Sequence, residues 1–190
     1  MRDRLVLALD VGGTKIASGI VDPNTGEILG FSRRPARVDR DGLLAELNEI
    51  VDEASRFAEE EDLRLDRIGI GMAEIVTASG EIASSQTFDL PGRLLGRSIE
   101  SDLPVVVDSD VRCAARAEGR LGAGGGHSLF FYITVGTGLS SSLVIRGEPL
   151  VGAHGSAIVL GSGALPREAT PECTDHFSLE EFSSGAAIAR

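Results

Sequence analysis

Apolar and polar residues alternate along the first part of the chain in a pattern that predicts three strands followed by a helix. Short apolar runs bounded by turn-forming residues are typical of β-strands. They cover Leu5–Val11, Ile16–Asp22 and Glu27–Pro35. Between Gly42 and Glu61 the apolar residues recur at helical spacing, with charged residues on the other face. This spacing predicts an amphipathic helix.

Shorter elements continue the pattern up to residue 121. Apolar runs predict strands within Arg67–Val76, at Glu81–Ala83 and over Pro104–Asp110. A short helix is predicted at Leu94–Ile99, and an alanine- and arginine-rich helix at Val111–Leu121. With the short run at Glu81–Ala83 counted together with the strand before it, the predicted order βββαβαβα indicates an α/β domain.

Glycines crowd residues 122–126 and predict a linker, after which the strand pattern starts again. Leu129–Val135 predicts a strand, a Gly-Thr-Gly turn follows, and Leu143–Ile145 begins a second strand. The succession of three strands, with a glycine–threonine turn after the first, thus occurs at 5–35 and again at 129–153. We therefore predict two domains, 1–122 and 127–190, of which the second copy of the fold is incomplete.

Composition and charge restrict the kinds of partner. Hydrophobic residues make up 42% of the chain, enough for a buried core, and the formal net charge is −11. Such an acidic chain is not expected to bind nucleic acid or a membrane surface, because both require basic patches. No apolar run approaches the roughly 18 residues of a membrane span. Cys113 and Cys173 form no disulfide framework, so a cytoplasmic location is expected.

The turn between the first two predicted strands carries residues suited to bind phosphate. Gly12 and Gly13 let an anion approach the backbone amides, while Thr14 and Lys15 add a hydroxyl and an ammonium group. Asp10 lies at the end region of the first strand, where it can hold a magnesium ion directly or through water. An ordinary hairpin turn is the alternative explanation of the same residues.

Three segments, in this order, resemble the ROK family (repressors, open reading frames and sugar kinases). They are LVLALDVGGTK, PVVVDSDVRCAARAEGRLGAG and FFYITVGTGLSSSLVIRGEPLVGAHG. The resemblance implies an α/β, actin-like (ribonuclease H-like) sugar-kinase fold with duplicated βββαβα domains. It also implies a carbohydrate kinase that transfers the γ-phosphate of ATP to a hydroxyl of a hexose-like sugar or cyclitol, with ATP and Mg²⁺ as cofactors. A homodimer is expected on the same ground.

The resemblance also assigns roles to individual residues. Asp110 takes the place of the catalytic aspartate, and a strand end before a helix suits a general base. A helix N-cap is the alternative role of Asp110, and the two roles can coexist. The first phosphate loop would consist of Asp10, Gly12, Gly13, Thr14 and Lys15, with Asp10 contacting Mg²⁺ through water. The second loop, unless it is a plain hairpin turn, would consist of Gly136, Thr137 and Gly138.

Four residues are expected to contact the substrate. Strand alternation places Asp108 on the same face as Asp110. Ser109 lies between them, in the segment that resembles the family's V-E-N-D. Glu74 and His154 are the other two candidates, with a solvated glutamate and a loop histidine as the alternatives.

Several positions depart from the family pattern. Ser140-Ser141-Ser142 replaces the glycine triplet of the second phosphate loop, and Val159 and Ser162 stand where the family's G-E-x-G-H element has its Glu and His. Only Cys173 and His176 lie in the region of the family's zinc cluster, so no zinc site is expected. Two alternatives therefore stay open: a catalytically silent ROK-like sugar-binding or regulatory protein, and an unrelated nucleotide-binding module of actin-like fold.

Overall fold

A five-stranded mixed sheet occupies the first half of the chain. The computed structural model describes residues 4–90, 92–158, 161, 164–165 and 177–189. The strands up to residue 109 are β1 (Leu5–Val11), β2 (Lys15–Val21), β3 (Ile28–Pro35), β4 (Leu65–Met72), the short pair β5 (Glu81–Ile82) and β6 (Arg93–Leu94), and β7 (Val105–Ser109). The order in the main sheet is β3-β2-β1-β4-β7. Since β1, β4 and β7 are parallel, their carboxyl ends lie at one edge of the sheet.

The helix α1 (Arg40–Glu60) connects the antiparallel β1–β3 meander to β4. Asp39 caps its N-terminus by accepting a hydrogen bond from the Gly42 amide at 2.8 Å, which satisfies a donor that the helix leaves unpaired. One face of α1 is buried in the core of the first half, together with the sheet residues Leu7 and Ile70. Its buried residues are Leu43, Leu47, Ile50, Val51 and Ala58.

A smaller antiparallel sheet follows the second long helix. The elements here are α2 (Asp110–Leu121), β8 (Leu129–Val135), β9 (Leu139–Ile145), β10 (Glu148–Pro149), β11 (Ala164–Leu165), β12 (Phe177–Ser178), α3 (Leu179–Ser183) and α4 (Gly185–Ile188). The sheet order is β10-β9-β8, and β11 pairs with β12. None of the helices in the described part of the chain is both long and apolar enough to cross a membrane.

Packing divides the chain into two units. The first contains the residues up to Cys113 together with Ala153–Gly155, and the second contains Ala114–Gly152 and the described residues from Ser156 onward. The division falls within α2, upstream of the glycine cluster at 122–126. The domains 1–122 and 127–190 stay a prediction.

Several elements differ in bounds or in type from those predicted by the sequence. The strand expected to reach Val76 ends at Met72, and the second strand of the repeated hairpin begins at Leu139. Asp110 is the first residue of α2, not the last residue of a strand. The helix expected at Leu94–Ile99 is a 3₁₀ turn at 95–97. Two of these differences lie beside carboxylates that accept hydrogen bonds from backbone amides, Glu74 from Thr87 and Asp110 from Val111.

One face of β8 carries a row of exposed apolar side chains. Leu129, Phe131, Ile133 and Val135 are 60%, 52%, 49% and 54% exposed. β8 is also an edge strand of its sheet. Exposed apolar rows on edge strands favour association with other chains.

We expect Phe131→Lys to reduce concentration-dependent self-association, because it places a charge in the middle of this row. Sedimentation velocity over a range of concentrations measures the effect. Phe31→Lys is the matched control, since Phe31 is 59% exposed on β3 and lies outside the row. Equal association of the wild type and the Phe131 variant would contradict the expectation. The homodimer itself stays a prediction.

Candidate functional site

Three residues align across the carboxyl edge of the parallel strands. Asp10 of β1 is in register with Gly71 of β4, and Gly71 is in register with Asp108 of β7. A Cβ on Gly71 would lie 3.5 Å from the Asp110 Cα and 3.6 Å from the Cys113 Sγ. The first turn of α2 therefore lies within van der Waals distance of β4 at Gly71. This edge brings the predicted base and the predicted magnesium contact into one region.

Asp110 has a perturbed carboxyl group. Burial raises the pKa of Asp110 above its ordinary value, and the negative charge of Asp10 raises it further. The Val111 amide, which donates to Asp110 Oδ1 at 2.7 Å, opposes the rise, as do the Ser109 hydroxyl and Arg112. A carboxylate with a raised pKa at a strand edge is a candidate proton acceptor.

Asp108 and Ser109 face partners within the chain. Asp108 Oδ1 accepts hydrogen bonds from the Ser109 amide at 2.8 Å and from Arg112 Nε at 2.6 Å. Ser109 is fully buried, and its hydroxyl lies 3.3 Å from Asp110 Oδ1, to which it donates. The expectation that Asp108 and Asp110 share a strand face is wrong, because Asp110 already belongs to α2. Their contact with a sugar stays a prediction, while the observed bonds give both residues supporting roles.

The first hairpin keeps part of its backbone open. The Gly12 amide donates to the Lys15 carbonyl at 3.0 Å, but within the described residues the Gly13 and Thr14 amides meet no acceptor. Thr14 and Lys15 are exposed, and Lys15 is the only lysine in the sequence. Two open amides, a hydroxyl and an ammonium group on one turn are suited to bind an anion.

Glu74 is buried and bonded to the loop at 84–88. Its Oε1 accepts from the amides of Thr87 and Phe88 at 2.6 and 2.9 Å. Its Oε2 accepts from the Gln86 amide at 3.2 Å and from the Ser84 hydroxyl. Both oxygens are therefore engaged within the chain, which gives Glu74 a structural role that differs from the predicted sugar contact. That contact stays a prediction without support from this geometry.

The loop held by Glu74 forms a wall beside the first hairpin. A Cβ on Gly13 would lie 2.7 Å from the Thr87 Cγ2. Only glycine allows the hairpin to pack this closely against Thr87. Glu74 therefore supports the predicted phosphate loop indirectly, through Thr87.

The second hairpin, in the other unit, has a similar open turn with a carboxylate beside it. The Gly136 amide donates to the Gly138 carbonyl at 2.9 Å, and no described residue accepts from the Thr137 or Gly138 amide. Glu180 Oε2 accepts from the Leu139 amide at 2.7 Å. A Cβ on Gly138 would lie 2.6 Å from the same oxygen. A side chain at 138 would thus displace the Glu180 carboxylate, and the role of the turn as a phosphate loop stays a prediction.

Two further predictions concern a histidine and a metal. His154 is exposed and lies in the segment Ala153–Gly155, which packs with the first unit. Val159, Ser162, Cys173 and His176 lie outside the described residues, so the absence of a zinc site stays a prediction.

The comparison with known proteins identifies the family. A model of the ROK family matches residues 6–190. The chain belongs to the ROK family. It is 30% identical over 190 residues to a glucokinase of Streptomyces coelicolor, in a match that covers 98% of this chain and 58% of that protein. It therefore spans about three fifths of the length of this ROK relative.

Solved ROK structures share the fold. A ROK family glucokinase from Streptomyces griseus, in complex with glucose and AMPPNP, matches with a TM-score of 0.81 and 31% identity, covering 98% of this chain and 59% of that one. A ROK family transcriptional regulator matches with a TM-score of 0.82 and 23% identity, covering 97% and 48%. The second similarity shows the fold alone. The fold is therefore the actin-like sugar-kinase fold of ROK glucokinases.

Three residues of this ROK chain contact predicted site residues, each within its own unit, without having been predicted from the sequence. Thr87 and Glu180 contact the two hairpins, and Arg112 pairs with Asp108. Asp108 and Arg112 are only four residues apart, but Asp108 lies on β7 and Arg112 on α2, so helical spacing does not predict their pairing. Thr87 and Glu180 lie far from the hairpins in sequence.

Proposed function

We propose that this chain carries the catalytic residues of an ATP-dependent carbohydrate kinase, with Asp110 as the general base. The observation that carries the proposal is the partly buried Asp110 carboxyl at the carboxyl edge of β1, β4 and β7, with a raised pKa and Asp10 as its charged neighbour. The kinase names of the relatives support the reaction class.

Each part of the reaction has a candidate residue. The hydroxyl of a hexose-like sugar or cyclitol gives its proton to the Asp110 carboxylate. At the same time the hydroxyl oxygen bonds to the γ-phosphorus of ATP, and the bond from that phosphorus to the ADP oxygen breaks. The open amides of Gly13 and Thr14 and the Lys15 ammonium group hold phosphate oxygens. The AMPPNP in the Streptomyces griseus glucokinase supports ATP as the donor.

The residues present also fit magnesium, the metal that the ROK resemblance implies. Mg²⁺ is commonly bound by one or two carboxylates together with substrate phosphates. Within the described part of the chain, no cluster of three or more His, Cys, Asp or Glu could hold a metal. Asp10 and Asp110 nevertheless place two interacting negative charges near the open hairpin, and Asp10 would hold the ion through water. When bound, the ion neutralises charge on the phosphates.

The test measures sugar binding and phosphoryl transfer separately. Glucose, N-acetylglucosamine, a β-glucoside and myo-inositol are titrated calorimetrically, and sugar phosphate is detected by ³¹P NMR with Mg-ATP. We expect one hexose-like compound to bind and to be phosphorylated. Binding without transfer would favour the silent sugar-binding alternative. The buried serines Ser141 and Ser142, beside the second hairpin, support that alternative. Neither binding nor transfer with any compound would refute the proposal.

A further inference from the structure

Arg112 is a buried charge next to the proposed base. Its side chain is fully buried and is the largest of the fully buried side chains in the described residues. Arginine is almost never fully buried unless it is paired and hydrogen-bonded. Its bonding partners therefore indicate why a guanidinium group lies in this position.

Three acceptors from three chain segments surround the guanidinium group. Nε donates to Asp108 Oδ1 at 2.6 Å, one Nη donates to the Gly155 carbonyl at 2.9 Å, and the other donates to the Val76 carbonyl. Val76 and Gly155 lie 36 and 43 residues from Arg112. The planar fork of arginine can bond several acceptors at once, which the single ammonium group of lysine cannot do in this geometry.

Gly155 is required for this arrangement. Its φ is +77°, and a Cβ there would lie 2.2 Å from the Val76 carbonyl oxygen. The two carbonyls can therefore approach the same guanidinium group only because residue 155 has no side chain. The result is that Ala153–Gly155 packs with the first unit, although the residues on both sides of it pack with the second.

We propose that Arg112 is a positioning residue. Its guanidinium group fixes the Val76 and Gly155 loops beside Asp108 of β7 and Asp110 of α2, and so holds the exposed His154 in place for the sugar. The inference rests on the proposed function, because it takes the sugar side of a kinase as the reason for the clamp. We refer to Arg112, Asp108 and the two carbonyls as the Arg112 clamp.

A purely structural role predicts a different response to mutation. A buried ion pair can be replaced by uncharged residues of similar volume with little loss of stability, whereas removal of one partner leaves an unpaired charge. If Arg112 and Asp108 only stabilised the fold, an uncharged pair at these two positions would stabilise it equally well. The two backbone carbonyls, however, lose their donors in either case. A variant without both charges therefore separates stability from positioning.

The experiment compares Arg112→Met with the double variant Asp108→Asn/Arg112→Met, in the whole chain. We expect the single variant to melt at a lower temperature and the double variant to recover most of the loss. In both variants, we expect hydrogen exchange at 74–78 and 151–157 to be faster. We also expect the sugar identified in the binding panel to bind about tenfold more weakly, as the loss of one hydrogen bond from a displaced His154 implies. Arg120→Met is the matched control, since Arg120 is exposed on the same helix.

Two results would overturn the inference. One is wild-type exchange at both loops in the double variant, since the carbonyls would then not depend on Arg112. The other is faster exchange with unchanged sugar affinity, since the clamp would then not serve the substrate. If the wild-type chain binds no sugar, the proposed function fails and the positioning of His154 for a sugar fails with it. The exchange data still show in that case whether Arg112 holds the loops.

Discussion

Asp110→Asn is expected to abolish measurable phosphoryl transfer while nucleotide binding persists. A positioned general base contributes roughly 10²- to 10⁴-fold to a rate, and an amide cannot accept the hydroxyl proton. The Asn side chain keeps an oxygen for the Val111 amide, which Asp110 accepts at 2.7 Å, so the start of α2 is expected to stay intact. Sugar-dependent ADP formation measures the loss, and calorimetric titration with Mg-ATP checks that the nucleotide still binds.

The same variant is expected to be more stable than the wild type at neutral pH. Burial and the neighbouring Asp10 raise the pKa of Asp110 in the folded state. The stabilisation that comes from protonating this carboxyl is present below the unfolded-state pKa and is lost as the pH rises through the folded-state pKa. At pH 7 the ionised carboxylate therefore destabilises the fold, and a neutral Asn removes that penalty.

Melting curves at pH 4 and pH 7 test whether Asp110→Asn stabilises the fold at neutral pH. The gain in melting temperature of Asp110→Asn is expected to be large at pH 7 and to shrink at pH 4, where the wild-type carboxyl becomes protonated. Asp102→Asn, in the exposed loop before β7, is the matched control and is expected to change neither activity nor stability. Full activity of the Asp110 variant would exclude Asp110 as the base.

Glu74→Ala is expected to lower the free energy of unfolding by about 3 kcal/mol. Hydrogen bonds to a charged group contribute about 1.5–3 kcal/mol each, and a buried donor left unpaired costs about 1–3 kcal/mol. Glu74 accepts from the amides of Gln86, Thr87 and Phe88, of which Phe88 is buried. Solvent can satisfy the exposed Gln86 amide after the change, so the separate losses do not add in full. Urea denaturation measures the difference.

Glu74→Ala is also expected to weaken the packing of the first hairpin. Thr87 packs beside Gly13, so a loosened loop at 84–88 removes the wall behind the open amides. Nucleotide affinity should therefore fall together with stability. Glu74→Gln retains an acceptor oxygen and should lose less, while Glu60→Ala, at the exposed end of α1, should stay within about 0.5 kcal/mol of the wild type. An unchanged denaturation midpoint for Glu74→Ala would contradict the role given to its hydrogen bonds.

Local patterns predicted the elements where neighbouring residues decide the conformation. Leu5–Val11 and Leu129–Val135 were predicted with the bounds that the structure shows. The prediction was wrong where a distant partner intervenes. The strand expected to reach Val76 ends at Met72, before Glu74 bonds to amides 12 to 14 residues further along the chain.

The residues of the candidate site also fall into those that local sequence predicts and those that depend on distant partners. The hairpin residues Gly12–Lys15 and the aspartates Asp10 and Asp110 stand out in the sequence, because their chemistry depends on residue type and on position at a strand end. Arg112 in an alanine- and arginine-rich segment reads as a surface residue of a helix. It is buried because its acceptors come from loops 36 and 43 residues away.

By itself, the sequence determined the family, the first three strands with the helix that follows them, and the positions of the two glycine turns, since these depend on local periodicity and on motifs of adjacent residues. Only the tertiary structure decided that Glu74 supports a loop, that Asp108 pairs with Arg112, and that the pKa of Asp110 is raised. Burial and the approach of distant charges produce each of these, and neither can be read from residues that are neighbours only in sequence.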